Sequence, residues 1–346
     1  MGDHDSLFKR AFSVPASAAA EIRCVLPEAV SGRLDLDRLE SVRASFIDDE
    51  MAHRHADLLF RAPILGGREQ AYVYVLLEHQ SEPEPLMVWR VFGYVQRIWA
   101  AVLREEPERK TLPPIVPLIV HHGPSGWTAA RRLHEVVEGL AEIPELAPLL
   151  PDFEILVDDL GAIADETLRE RPLPPFPKVA LWLLRDSRSI ERLLQSLAAA
   201  WREELSRLRR ADAGGEDTLV ALRYILRVAG DLPFETLRER LEAATPELED
   251  VMATIEEQIF QRGFEKGVQQ GVEQGIQQGV EQGIQQGVEQ GRAEALRDTL
   301  GRLLRARFGG VDVSIERHLE AASEGDLDRW IERVVTAERP EDIFGP

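Results

Sequence analysis

Asp57, Glu78 and Gln80, in the stretch HADLLFRAPILGGREQAYVYVLLEHQ at residues 55–80, are the side chains of this sequence best spaced to do chemistry. Strand side chains alternate faces, so Glu78 and Gln80 share a face with Tyr72, Tyr74 and Leu76, while His79 points the other way. Asp57 opens the partner strand, and a hairpin closing through Gly66-Gly67 is expected to bring it opposite Glu78. Two carboxylates held together repel when both are ionised, and a divalent cation removes that repulsion. Hard oxygen ligands suit Mg²⁺. An ion held by Asp57, Glu78 and the backbone carbonyl of His79 can activate a water and polarise a phosphodiester, with Gln80 orienting the water. The D-x20-E-x-Q spacing is loose, however, and two polar residues at the solvent end of a hairpin satisfy it as well.

The surrounding elements must hold these groups in place. Near-helical recurrence of Leu7, Phe8, Ala11, Phe12, Ile22 and Val25 predicts a helix over 6–26, and Val42–Ile47 a short strand. Two strand-like runs, Ala56–Pro63 and Ala71–Gln80, flank LGGREQ as a hairpin. Residues 86–103 carry Val88, Val91, Phe92, Val95, Ile98, Trp99 and Val102 on one broad apolar helical face. PPIVPLIVHHG at 113–123 is short, β-branched and bounded by Pro and Gly, which predicts a buried strand. Because a helix precedes it, that strand should lie parallel to a neighbour in one mixed sheet. The order helix, strand, strand, strand, helix, strand is an α/β core. A proline-rich stretch from Trp127 to Pro177 follows, then predicted helices at 179–210 and 218–244.

GVQQGVEQGIQQGVEQGIQQGVEQG, residues 267–291, places glycine at every fourth position seven times. Each interior glycine costs a helix roughly 1 kcal/mol relative to alanine, so the segment is either a low-complexity linker or a helix whose close packing offsets that cost. A four-residue period drifts forward about 40° per repeat on a helix, which favours right-handed supercoiling. Self-association through residues 263–291 into a homo-oligomer is the reading preferred here. Beyond it, 292–308 reads as a helix stopped by Gly309-Gly310, followed by a short acidic helical unit.

Composition narrows the classes. The net charge is −20, which opposes long-range attraction to nucleic acid, and residues 312–346 alone hold ten acids against four arginines. A basic face elsewhere is needed for DNA. Arg90, Tyr94 and Arg97 share one side of the helix after Glu78 and are candidate phosphate contacts, although a solvated helix face accounts for them equally. The longest apolar runs fall far short of the ~20 residues of a membrane helix, so no membrane span is expected. No secretory leader is visible, and the one cysteine, Cys24, fits a reducing cytoplasm better than a disulfide framework and reads as a small apolar helix residue. There is no Walker loop, and Trp127 in GPSGW replaces the second glycine of a nucleophile elbow. His121-His122 and His53/His55 lack an obvious third metal ligand and read as structural pairs.

The stretches HDSLFKRAFS (4–13), SFIDDEMAHRHADLLFR (45–61), YVYVLLEHQSEPEPLMVWRVFGYVQRIW (72–99) and LPPIVPLIVHHGPSGW (112–127), taken in order, resemble the recombination-promoting nuclease family. That family is also described as transposase-like and is part of the PD-(D/E)xK nuclease superfamily. The resemblance covers about the first 130 residues, with weaker helical similarity to about 250. Ala295–Phe344 resembles a small domain of unknown function often found at the end of such proteins. What the resemblance implies is a restriction-endonuclease-like core (αβββαβ, mixed sheet) over 1–130 and metal-dependent cutting of DNA. A mainly helical extension over 131–260, the glycine-repeat helix or linker over 261–292 and a small acidic helical domain over 293–346 complete the expected organisation. Asp57 and Glu78 would be the metal carboxylates, and Gln80 would stand where the superfamily has lysine. Glutamine offers hydrogen bonds without charge, so an inactive DNA-binding or assembly protein is the alternative. One of Asp48, Asp49 and Glu50 would be a supporting carboxylate or else an exposed loop acid. His4 and Asp5 match the family's start; His4 would approach the site, and Asp5 would do so or cap the first helix.

Overall fold

A computed structural model describes residues 2–42, 58–67, 69–78, 83–310 and 312–344, with only the backbone of residues 76–78. The chain divides into two compact units, Met1–Glu257 and Gln258–Pro346.

The first unit is an α/β structure around a mixed five-stranded sheet. Pro15 sits at a first helical turn, so the predicted helix at 6–26 is two helices, α1 (Asp3–Phe12) and α2 (Pro15–Val25). Strand β1 (Glu40–Val42) pairs antiparallel with β2 (Leu58–Pro63), and β2 antiparallel with β3 (Gln70–Glu78). The crossover helix α3 (Met87–Glu105) then returns the chain to β4 (Ile115–His121), which lies parallel to β3, as its position after a helix requires. A fifth strand, β5 (Leu156–Asp159), extends the sheet in parallel beside β4. It falls in the proline-rich stretch from Trp127 to Pro177, where no strand is predicted because four residues between 3₁₀ turns carry no visible alternation.

The two sheet faces bury different sets. Phe60, Ala62, Ala71, Val73, Val75, Leu118 and Val120 face α1 and α2 in one large core. That core also takes in the helices that follow, α4 (Asp165–Glu170), α5 (Pro175–Asp186), α6 (Ile190–Ser196), α7 (Arg202–Ala211), α8 (Glu216–Ala229) and α9 (Phe234–Ala244). The sheet and the helical extension therefore share one apolar interior, with Trp182 stacked on Trp201 at 5.3 Å within it. The long helices predicted at 179–210 and 218–244 are each interrupted. The first turns at residues 187–189, between α5 and α6, and passes through a π stretch at Leu197–Trp201 between α6 and α7; Gly230 with φ +57°, followed by Pro233, breaks the second. On the opposite face, Leu59, Tyr72, Tyr74 and Ile119 pack under Val88, Val91, Val95 and Ile98 of α3.

Helix α10 runs from Glu249 to Phe308 and contains the whole glycine repeat. Gly309, with φ +83°, ends it as the Gly-Gly signal predicts. In the second unit, Leu300 and Leu304 of α10 form a small core with Leu319 of α11 (Val313–Ala321) and Leu327 and Val334 of α12 (Glu324–Val334). No described helix is long and apolar enough to cross a membrane.

Candidate functional site

Parallel strands gather their carboxyl ends on one side of a sheet, which is where open α/β sheets present ligand-binding groups. Along that edge Glu78 pairs with His121 and His121 pairs with Asp159, so three chemistry-bearing residues of β3, β4 and β5 stand in one row. The sequence reading set His121 aside and had no signal for Asp159; neighbouring strands, not spacing along the chain, put them there.

His121 is fully buried. Its Nε2 accepts a hydrogen bond from the Gly123 N–H at 3.2 Å, which leaves the ring hydrogen on Nδ1. The Trp127 ring meets it edge-on at 5.4 Å. Asp159 accepts from the Trp127 backbone N–H at 2.8 Å, tying the 123–127 loop to the end of β5. The tie is close: a Cβ built on Gly161 would lie 2.6 Å from the Gly123 carbonyl oxygen. Gly161→Ala should therefore cost about 1–3 kcal/mol through overpacking, visible as a lower urea midpoint; an unchanged midpoint would show that the loop yields freely.

Behind the row, on the α1 side, His122 is buried and its Nδ1–H donates to the Leu184 carbonyl at 3.0 Å. His4 lies against it, ring centroids 5.1 Å apart, and its Nδ1 is 2.5 Å from the Tyr224 hydroxyl. His4 thus lies near the end of β4 on the α1 side of the sheet, the face opposite to that of His121. Asp5 accepts from the Gly2 N–H at 3.3 Å, the capping alternative.

A second charged cluster underlies β5. Arg171 makes a two-pronged ion pair with Asp158 at 2.9 and 2.6 Å and donates to Glu21 of α2 at 2.5 Å. All three are largely buried. Burial, and after it the charge of Asp158, push the Glu21 carboxyl well above the ordinary glutamate range, with Arg171 opposing. The folded state therefore binds this proton more tightly than the unfolded chain. Its contribution to stability is complete below a pH of about 4.3 and is lost as pH rises through the raised value. Glu21→Gln should flatten that part of the stability profile in urea unfolding across pH; parallel profiles for the two proteins would refute it. One turn away, Cys24 is half-buried, bonded to the Ala20 carbonyl at 3.2 Å, and burial followed by the Glu21 charge pushes its thiol up to about 11.

Of the residues selected from sequence, Asp57, His79 and Gln80 lie outside the described residues, as do Asp48, Asp49, Glu50, His53 and His55. Glu78 is placed by its backbone at the end of β3. The β2–β3 ladder ends at Leu58↔Val75, so Glu78 stands three residues beyond the last described pair, not directly across from the start of β2. On α3, Arg90 donates to Glu84 at 2.7 Å and Arg97 is half-buried. Tyr94 is buried, its ring 5.6 Å from that of Tyr74. Tyr94 therefore does not share an exposed face with Arg90 and Arg97, because its ring joins the apolar face it borders. Among the described residues no group of three His, Cys, Asp or Glu side chains is arranged to hold a metal ion.

Comparison with known proteins adds to this geometry. The family model described as "Putative transposase, YhgA-like" matches residues 2–213. Recombination-promoting nuclease RpnD of Escherichia coli O157:H7 is 30% identical over 167 residues, 44% of this chain and 62% of its own. The chain thus spans less than two thirds of that relative. Recombination-promoting nuclease RpnA of Escherichia coli strain K12 is 24% identical over 277 residues, 75% of this chain and 84% of its own. RpnE of the same strain, named an inactive recombination-promoting nuclease-like protein, is 25% identical over 265 residues, 76% of this chain and 83% of its own. No solved structure matches. With the model covering more than half its length and these relatives beside it, the chain belongs to the YhgA-like transposase family, the group of the recombination-promoting nucleases.

Proposed function

We propose that this chain is a metal-dependent DNA endonuclease, built on a restriction-endonuclease-like core and acting in recombination. The observation that carries the reading is the sheet order: a hairpin, a crossover helix and a parallel strand leave Glu78 at a carboxyl-end edge, in register with His121. The names of RpnD and RpnA support nuclease chemistry and DNA as substrate.

In this reading Asp57, Glu78 and the carbonyl of His79 would hold a divalent cation such as Mg²⁺, which would supply Lewis-acid and water-activating chemistry when bound. Gln80 would hydrogen-bond the attacking water and orient it. The buried, single-tautomer His121 gives the strand edge a fixed wall. Arg90 and Arg97 meet phosphates of the incoming strand and offset locally the acidity of the rest of the chain.

A second reading, a DNA-binding or assembly protein that no longer cuts, draws on the inactive name of RpnE and on glutamine at position 80. Supercoiled plasmid incubated with the full chain and Mg²⁺ or Mn²⁺ separates the two. Nicked circles that vanish with chelator are expected; intact plasmid under every divalent metal hands the case to the second reading.

A further inference from the structure

Of the six tryptophans, all of them among the described residues, only Trp89 in the first turn of α3 is exposed, at 59%. Its ring lies 6.1 Å from that of Phe92, tilted by 45°, and Phe92 stacks on Phe153 at 5.5 Å. Three rings thus run from the apolar core under α3 out to the surface. Gly93, one turn on from Trp89, leaves bare backbone beside the ring. A Cβ there would meet nothing within 4 Å, so the chain's own packing does not call for glycine, and alanine would make the better helix. Gln96, exposed, follows on the same side, because steps of three and four residues return to one helix face. From Met87 to Arg104 the helix holds no acid, although the chain's net charge is −20, and Arg90, Arg97 and Arg104 recur at seven-residue steps along the flank. The helix begins after β3 ends and runs back beside it, so Trp89 stands toward the edge that carries Glu78. The Tyr74–Tyr94 contact sets the level: Glu78 lies ~13 Å beyond Tyr74 along β3, and Trp89 ~7.5 Å beyond Tyr94 along α3, in the same direction.

We propose that Trp89 is a stacking platform for an unpaired base of the DNA substrate, with Gly93 as its floor and Gln96 at the edge of the base. The inference rests on the reading that this chain acts on DNA, and it names the kind of DNA preferred: a strand with a base out of the stack, at a bulge, a loop or a single-stranded end. In a closed duplex both faces of a base are covered by its neighbours, so an aromatic ring finds a free face only where the stack is interrupted. A tryptophan accepts any base in this way, and the glutamine amide offers both a donor and an acceptor to the base edge. The charge of the helix selects nucleic acid over an apolar segment of another protein. Phosphates on either side of the stacked base meet arginines and no carboxylate, the reverse of the balance over the chain as a whole. The Phe92–Phe153 stack ties the platform to the start of β5, so it is held at a fixed distance from the sheet.

Fluorescence anisotropy of the full chain, with Ca²⁺ replacing Mg²⁺, tests the proposal on two labelled probes: a short closed duplex and the same duplex carrying one unpaired thymine. The wild type is expected to bind the second about tenfold or more tightly than the first. Trp89→Ala should bring the two affinities together, and Trp89→Phe, which keeps a ring, should retain most of the preference. Gly93→Leu, which fills the floor, should narrow it. The ring is exposed, so the unfolding midpoint of Trp89→Ala should stay at the wild-type value. Equal affinity of the wild type for both probes overturns the proposal, as does a preference that survives Trp89→Ala or a chain that binds neither probe. Plasmid nicking, read separately, keeps the two claims apart. Nicking without a Trp89-dependent preference removes the platform and leaves the nuclease; a Trp89-dependent preference without nicking under any divalent metal keeps the platform and removes the cutting.

Discussion

Glu78→Gln is expected to lower plasmid nicking by on the order of 10³-fold, and Asp57→Asn to do the same, with unfolding midpoints close to wild type. The amides keep the shape of the acids and remove only the charge that holds a cation. On the proposed reading both acids serve one ion, so the double variant should lose little more than either single, the non-additivity of groups that act as a unit. The backbone of Glu78 is fixed by its ladder with β4, so stability should not follow activity. Gln80→Lys, which installs the amine of the superfamily consensus, should retain nicking or raise it, since a cation adds charge stabilisation that an amide lacks. Nicking by Glu78→Gln at the wild-type rate would move the active site elsewhere in the chain.

Arg171→Met should unfold the first unit more readily by about 3–5 kcal/mol, the cost of leaving buried charge without its partner. Asp158 would lose both prongs of its ion pair, and Glu21 the one cation opposing its desolvation. For a unit of this size that is a fall in Tm of roughly 10 °C. Arg171→Lys keeps the charge but not the planar fork, and belongs between the two. Adding Asp158→Asn to Arg171→Met should recover part of the loss, because it removes the orphaned charge; strict additivity of the two changes would mean the pair is not coupled. The cluster joins α2, β5 and the segment after α4, so its loss should also loosen the β5 edge on which Asp159 holds the 123–127 loop.

Periodicity carried much of the fold. The hairpin about Gly66-Gly67, the amphipathic face of α3 and the parallel placement of β4 were legible, since each follows from local alternation or from chain reversal through a helix. The glycine stop after α10 was legible for the same reason. Breaks within helical stretches were less so: Pro15 and Gly230 punctuate visibly, but the turn at residues 187–189 and the π stretch at Leu197–Trp201 contain no Pro or Gly to mark them.

The sequence by itself determined which residue types stand at the hairpin and along the repeat, because strand and helix periods are local properties of the chain. Only the tertiary structure decided that His121 and Asp159 line up with Glu78, that Tyr94 turns inward, and that Glu21, Asp158 and Arg171 share one buried charge balance across 150 residues of chain. Those relations arise between neighbours brought together by sheet pairing and core burial, and spacing along a sequence does not encode which distant groups become neighbours.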